Sequence, residues 1–106
     1  MAADVEFRDR VLEKLASVDS LSCRSMFGGY GVFAQGNMFG LISGSALFFK
    51  VDESNLEAFE KAGSKRYGSM PYYRVPDAIL EDNAGLLDWA RSSVRIAMAT
   101  TKKKRN

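Results

Sequence analysis

Three small residues, Gly29, Gly31 and Ala34, fit the spacing G-x-G-x-x-A, with which a strand, a glycine turn and a helix N-terminus hold a dinucleotide pyrophosphate. That chemistry requires a helix directly after the glycines. Here Tyr30, Val32 and Phe33 favour a strand and Gln35-Gly36-Asn37 reads as a turn, so no cofactor site is expected. The run Gly29-Tyr30-Gly31-Val32-Phe33 also approaches the aromatic signature by which RNA-recognition motifs stack bases, but Gly28 stands where that signature carries a basic residue. Sharp strand bends and close approach of backbones explain the glycines better. Cys23 lies between Ser22 and Arg24; neighbouring strand residues point to opposite faces, so the arginine is not aimed at the sulfur and a structural thiol is expected. There is no histidine, the commonest general base and metal ligand. Asp52, Glu53, Asp77, Glu81 and Asp82 sit mostly at expected helix starts, where capping and the helix dipole account for them. No catalytic, cofactor or metal residue is therefore expected.

The elements carrying these residues form an α+β pattern. Phe7, Val11, Leu15 and Val18 recur at helical spacing, with Leu12 widening the stripe, so an amphipathic helix is expected over Val5 to Val18, capped by Asp4 and ended at Asp19-Ser20. The period then changes. Short runs rich in Phe, Tyr, Val, Leu and Ile predict an antiparallel meander with strands near Ser22–Phe27, Tyr30–Ala34, Met38–Ile42 and Leu47–Val51, turning at Gly36-Asn37 and Gly44-Ser45. Asp52 is expected to cap a short helix, Glu53 to Ala62, stopped by Gly63. Ser64 to Val75 reads as one or two irregular strands, and Asp82 as the cap of a last helix, Asn83 to Thr100. Of the twelve aromatic residues, Phe27, Tyr30, Phe33, Phe39, Phe48 and Phe49 fall in the meander, so those on a face left open by the helices would mark an association surface.

A chain of 106 residues, 46% hydrophobic and 26% charged, suits one globular domain, here placed at residues 1–100, with 101–106 as a disordered basic tail. The net charge is +2, and removing the four cations of Lys102 to Arg105 leaves −2 on the body, so the positive charge is concentrated in the tail. That tail is the feature through which a nucleic-acid partner would be held. The absence of an apolar signal region, of a membrane-length apolar run and of a second cysteine points to the cytoplasm.

The segments Arg24-Ser25-Met26-Phe27-Gly28-Gly29-Tyr30-Gly31-Val32-Phe33, Met38-Phe39-Gly40-Leu41-Ile42, Leu47-Phe48-Phe49-Lys50-Val51-Asp52 and Tyr72-Tyr73-Arg74-Val75-Pro76 together resemble the N-terminal domain of the TfoX/Sxy family. The resemblance spans about Val5 to Ala99 and implies an α+β fold with helices beside an antiparallel sheet, frequently dimeric and without known catalytic residues. It implies a stand-alone, non-enzymatic domain lacking the family's C-terminal domain and acting through protein contacts. Its role would be regulation of transcription or DNA transformation competence, beside a transcription regulator such as the cyclic-AMP receptor protein. Arg24, Met26, Phe27, Gly28, Gly29, Tyr30, Phe39 and Lys50 are the motif residues expected to make contacts, with Arg24 and Lys50 as salt-bridge or strand-edge groups. The alternative is a nucleic-acid-binding accessory protein using the basic tail together with Arg24, Lys50, Lys65, Arg66 and Arg74.

Overall fold

The computed structural model describes residues 4–26 and 28–105, with side chains to residue 100. In chain order the elements are α1 (Val5–Lys14), β1 (Leu21–Met26), β2 (Gly29–Ala34), β3 (Asn37–Ser43), β4 (Ala46–Lys50), α2 (Leu56–Lys61), β5 (Tyr72–Arg74), α3 (Asp77–Leu80) and α4 (Asn83–Arg105). The strands form one antiparallel five-stranded sheet in sequence order, the expected meander with β5 added at its end.

Local chemistry explains most boundaries. The Asp4 carboxylate accepts from the amides of Glu6 at 2.9 Å and Phe7 at 3.2 Å, so α1 is capped as expected. The helix nevertheless ends at Lys14, short of Val18: Leu15 and Val18 still turn into the core, but through a looser turn whose Val18 amide bonds the Leu15 carbonyl at 2.8 Å. Because burial holds these two residues, their spacing looked helical beyond the helix itself. The β2–β3 turn centres on Gln35-Gly36, at φ +51° and +81°, one residue before the expected pair. Asp52 accepts from the Ser54 amide at 2.7 Å, but α2 starts only at Leu56, because Asn55 turns its side chain back to the Asp52 amide and the Lys50 carbonyl. Gly63, at φ +73°, follows the end of that helix. The short α3 was not foreseen after Pro76; the proline supplies an extended entry and its carbonyl accepts from Ile79 and Leu80. The last helix runs to Arg105, past its expected end near Thr100.

The core lies between the sheet and the helices. Phe7, Val11 and Leu15 of the N-terminal segment and Leu86, Ala90 and Ala97 of α4 pack on Val32, Ala34, Phe39, Ile42, Leu47 and Phe49. Between β2 and β3 the register shifts, so that Val32 faces Gly40 and Phe33 faces Met38, leaving Phe39 as the extra residue of a bulge. The bulge turns Phe39 inward against Phe49, with ring centroids 5.9 Å apart. Ser93 of α4, fully buried, donates to the Lys50 carbonyl at 2.8 Å, which fixes α4 over the end of β4.

Gly29 marks the tightest approach, since a Cβ there would run into the backbone carbonyl of Ile42. At Gly44 a Cβ meets nothing, and the only obstacle is φ +60°. Gly29→Ala is therefore expected to destabilise the fold by roughly 1–3 kcal/mol or more, as overpacking against an immobile backbone does. Gly44→Ala, which only strains a turn, should cost about 1 kcal/mol. Urea midpoints of the two variants check that order.

Candidate functional site on the sheet

The register assigns every strand residue to one of two faces. Leu21, Cys23, Tyr30, Val32, Ile42, Leu47, Phe49 and Tyr73 lie toward the helices. Arg24, Gly31, Leu41, Phe48 and Arg74 form a single cross-strand row on the other face, where β1 to β5 lie directly opposite one another in turn. The Arg74 amide donates to the Lys65 carbonyl at 3.0 Å, and the Tyr67 amide to that of Tyr72 at 2.8 Å, so the chain between Lys65 and Tyr67 runs beside β5 and extends this face. The irregular pairing expected between Ser64 and Val75 takes this form, with Arg66 bridging to Tyr73.

The helix-free face is not the bare aromatic surface that the number of helices suggested. Leu41 is fully buried, Phe33 is 7% exposed and Tyr72 4%, while Phe48 and Tyr67 are half-buried against each other with centroids 5.0 Å apart. With only one layer of helices, this face is shielded by its own long side chains and by the returning segment 64–71. The Arg24 guanidinium lies 4.6 Å from the centroid of Phe33, and the Lys50 ammonium 5.6 Å from that of Tyr72. Met26 and Met38 place their sulfurs where a Cβ on Gly31 would stand.

The eight motif residues do not form one site. Arg24, Met26 and Lys50 share the helix-free face, and the cations there cap rings, a role the sequence did not suggest. Tyr30 lies on the other face, with the Arg8 guanidinium 4.8 Å from its centroid, and Phe39 is fully buried in the core. Gly28, at φ +74°, makes the β1–β2 turn, and Gly29 packs on Ile42, so both are structural; Phe27 lies outside the described residues. Gly29, Gly31 and Ala34 all fall within β2, with no helix after them, and this removes the pyrophosphate reading. Sequence reasoning missed Tyr67 and Met38 and named Lys65 only as a surface cation; that all three belong to this face depends on cross-strand register. The alternation of Met38 against Phe33 was the only available signal, and the bulge obscured it.

Titration chemistry is equally plain. Burial pushes the Cys23 thiol up, and the nearby Arg8 only partly offsets it, so the sulfur is a half-buried, protonated group in a shallow cleft of about 410 Å³ with Arg8, Asp9, Leu12, Ser25 and Tyr30. Among the described residues there is no group of three or more His, Cys, Asp or Glu side chains that could hold a metal ion. No described helix is long and apolar enough to cross a membrane.

The family model of the TfoX N-terminal domain matches residues 13–97, a span running from the end of α1 through all five strands and most of α4. The chain belongs to that family. No curated protein matches it. The matched span contains both faces of the TfoX N-terminal sheet, including the whole row from Arg24 to Arg74.

Tyr72 offers a pH test of this geometry. Its phenol donates to the Met38 carbonyl at 3.3 Å, and burial pushes its pKa up to about 12. An unfolded tyrosine ionises near 10, so the neutral phenol contributes stability that is complete below about pH 10 and lost as the pH rises towards about 12. Ultraviolet titration should show one phenolate appearing at about pH 12, absent from Tyr72→Phe, whose stability should also lose part of its dependence on pH across that window. A tyrosine transition near 10 that disappears in Tyr72→Phe would contradict the burial of this ring.

Proposed function

We propose that this domain is non-enzymatic and works through protein contacts, as a homodimer serving transcriptional regulation. The observation that carries the reading is the open sheet edge formed by β1. The Gln35 amide donates to the Ser20 carbonyl at 3.2 Å, and with the observed register this turns the backbone of Ser20, Ser22, Arg24 and Met26 toward β2. The N–H and C=O groups of Leu21, Cys23 and Ser25 consequently point away from the sheet. Natural edges are usually blunted by proline, charged side chains, a bulge or a covering segment; β1 has no proline or lysine among its six residues, and its one charge, Arg24, lies over the Phe33 ring. The opposite edge is treated differently: β5 has only three residues, stands between Pro71 and Pro76, and is covered by Lys65 to Tyr67.

A second copy can satisfy the free groups by a two-fold axis through Cys23. Antiparallel pairing then sets Leu21 against the partner's Ser25, Cys23 against the partner's Cys23, and Arg24 against the partner's Ser22, so that no like charges meet. Hydrogen-bonded partners of this kind have Cα atoms about 5.5 Å apart, within the range a disulfide spans. Light scattering should report a dimer, and mild oxidation should yield a covalent dimer that Cys23→Ser abolishes. Ser25→Pro removes an outward amide without touching the β1–β2 ladder and should give a folded monomer. A wild-type monomer at high concentration would sink the proposal.

A further inference from the structure

The charge of this chain is segregated in a way that its net value hides. All thirteen acidic residues lie outside residues 20–51 and 61–76, so the whole meander and the segment that returns over it contain no carboxylate side chain. The strands and returning segment accordingly contribute only cations to the helix-free face: Arg24 at one end of the cross-strand row, Arg74 and Lys65 at the other, and Lys50 in the neighbouring row. Arg24, Lys65 and Arg74 are exposed, and Arg74 is only loosely engaged, 3.7 Å from Asp77 in a largely solvated pair. Between the charged ends lies a floor of Gly31, Leu41 and Phe48, filled in by the half-buried side chains of Met26, Met38 and Tyr67.

We infer that this face docks an acidic amphipathic segment of another protein. The proposal rests on the reading that the domain works through protein contacts, and names the chemistry of the partner. Thioether side chains are flexible and polarisable, and surfaces rich in them accept varied apolar residues. Four strand spacings of about 4.8 Å place Arg24 and Arg74 about 19 Å apart, which corresponds to about 13 residues of helix at 1.5 Å each. A helix of that length with leucine-like residues on one side and carboxylates along its margins lays its apolar stripe across Met26, Met38 and Phe48. Its acidic groups then meet Arg24 at one end and Lys65 and Arg74 at the other. A single-stranded nucleic acid shares the charge requirement but needs free rings for its bases. Phe33 and Tyr72 are nearly fully covered, and Phe48 and Tyr67 are occupied with each other.

The test uses fluorescence anisotropy on the full chain with a labelled designed peptide of about 16 residues, Leu on one face and Glu on the other. Its Lys-for-Glu counterpart and an oligothymidylate serve as competing probes. The acidic peptide alone should bind, with affinity falling several-fold between about 50 and about 200 mM salt. The double reversal Arg24→Glu with Arg74→Glu should weaken it by about tenfold or more, whereas Arg91→Glu with Arg95→Glu on α4 should leave it unchanged. Met38→Glu should weaken binding as well, with circular dichroism confirming that each variant is folded. Equal binding of the basic peptide, equal damage from the α4 reversals, or preferential capture of the oligothymidylate through Arg24 and Arg74 would each overturn the proposal. A dimer that binds no acidic peptide removes this inference and leaves the homodimer standing, while a monomer that binds it through Arg24 and Arg74 does the reverse.

Discussion

A single layer of helices has to serve a sheet with two faces. Helices α1 and α4 cover one face and gather Phe39, Phe49, Leu47, Ile42 and Val32 into the core beneath them. Among the described residues no helix covers the other face, which still carries Phe33, Leu41, Phe48 and Tyr72, because β-rich strands of this composition cannot be polar on alternate positions throughout. Water is kept from those residues by means that differ from core packing. Long cations lie over rings, methionines fill the space above a glycine, and residues 64–71 fold back beside β5.

That solution sets the electrostatics of the molecule. Lysine and arginine have aliphatic stems that can cover apolar surface while their charges remain in water; the shorter aspartate and glutamate do this less well. Carboxylates serve instead where amides are free, as Asp4 does at the start of α1 and Asp52 does in the turn before α2. The separation of charge between the sheet and the rest of the chain thus follows from two local requirements, and its result is a surface of one sign beside an apolar floor.

The glycines of the most distinctive motif act on the backbone. Gly28 supplies a positive φ at the hairpin, Gly29 permits contact with the Ile42 carbonyl, and Gly31 leaves the space that Met26 and Met38 occupy. The bulge at Phe39 turns that ring to the side where α4 seats on β3 and β4, and there Ser93 donates to the Lys50 carbonyl. The family motif is in this respect a record of sheet geometry, and of the eight residues expected to make contacts only Arg24, Met26 and Lys50 turn described side chains to the helix-free face.

Periodicity and turn chemistry were enough to read the α+β class, the helix capped by Asp4, the four-strand meander and the long final helix, because each depends on neighbours within a few residues. The irregular stretch around Tyr72 and the end of α1 were read less well, since Leu15 and Val18 are held by burial and β5 by pairing with β4 and with Lys65 to Tyr67. Residue types alone identified the cations and aromatics and excluded a histidine-based site. Only the tertiary structure decided which of them share a face, because the bulge between Val32 and Phe33 resets the alternation and the row from Arg24 to Arg74 joins residues fifty positions apart through four strand pairings. Sequence order carries propensity, but a surface is made by register, and register is set by contacts between distant segments of the chain.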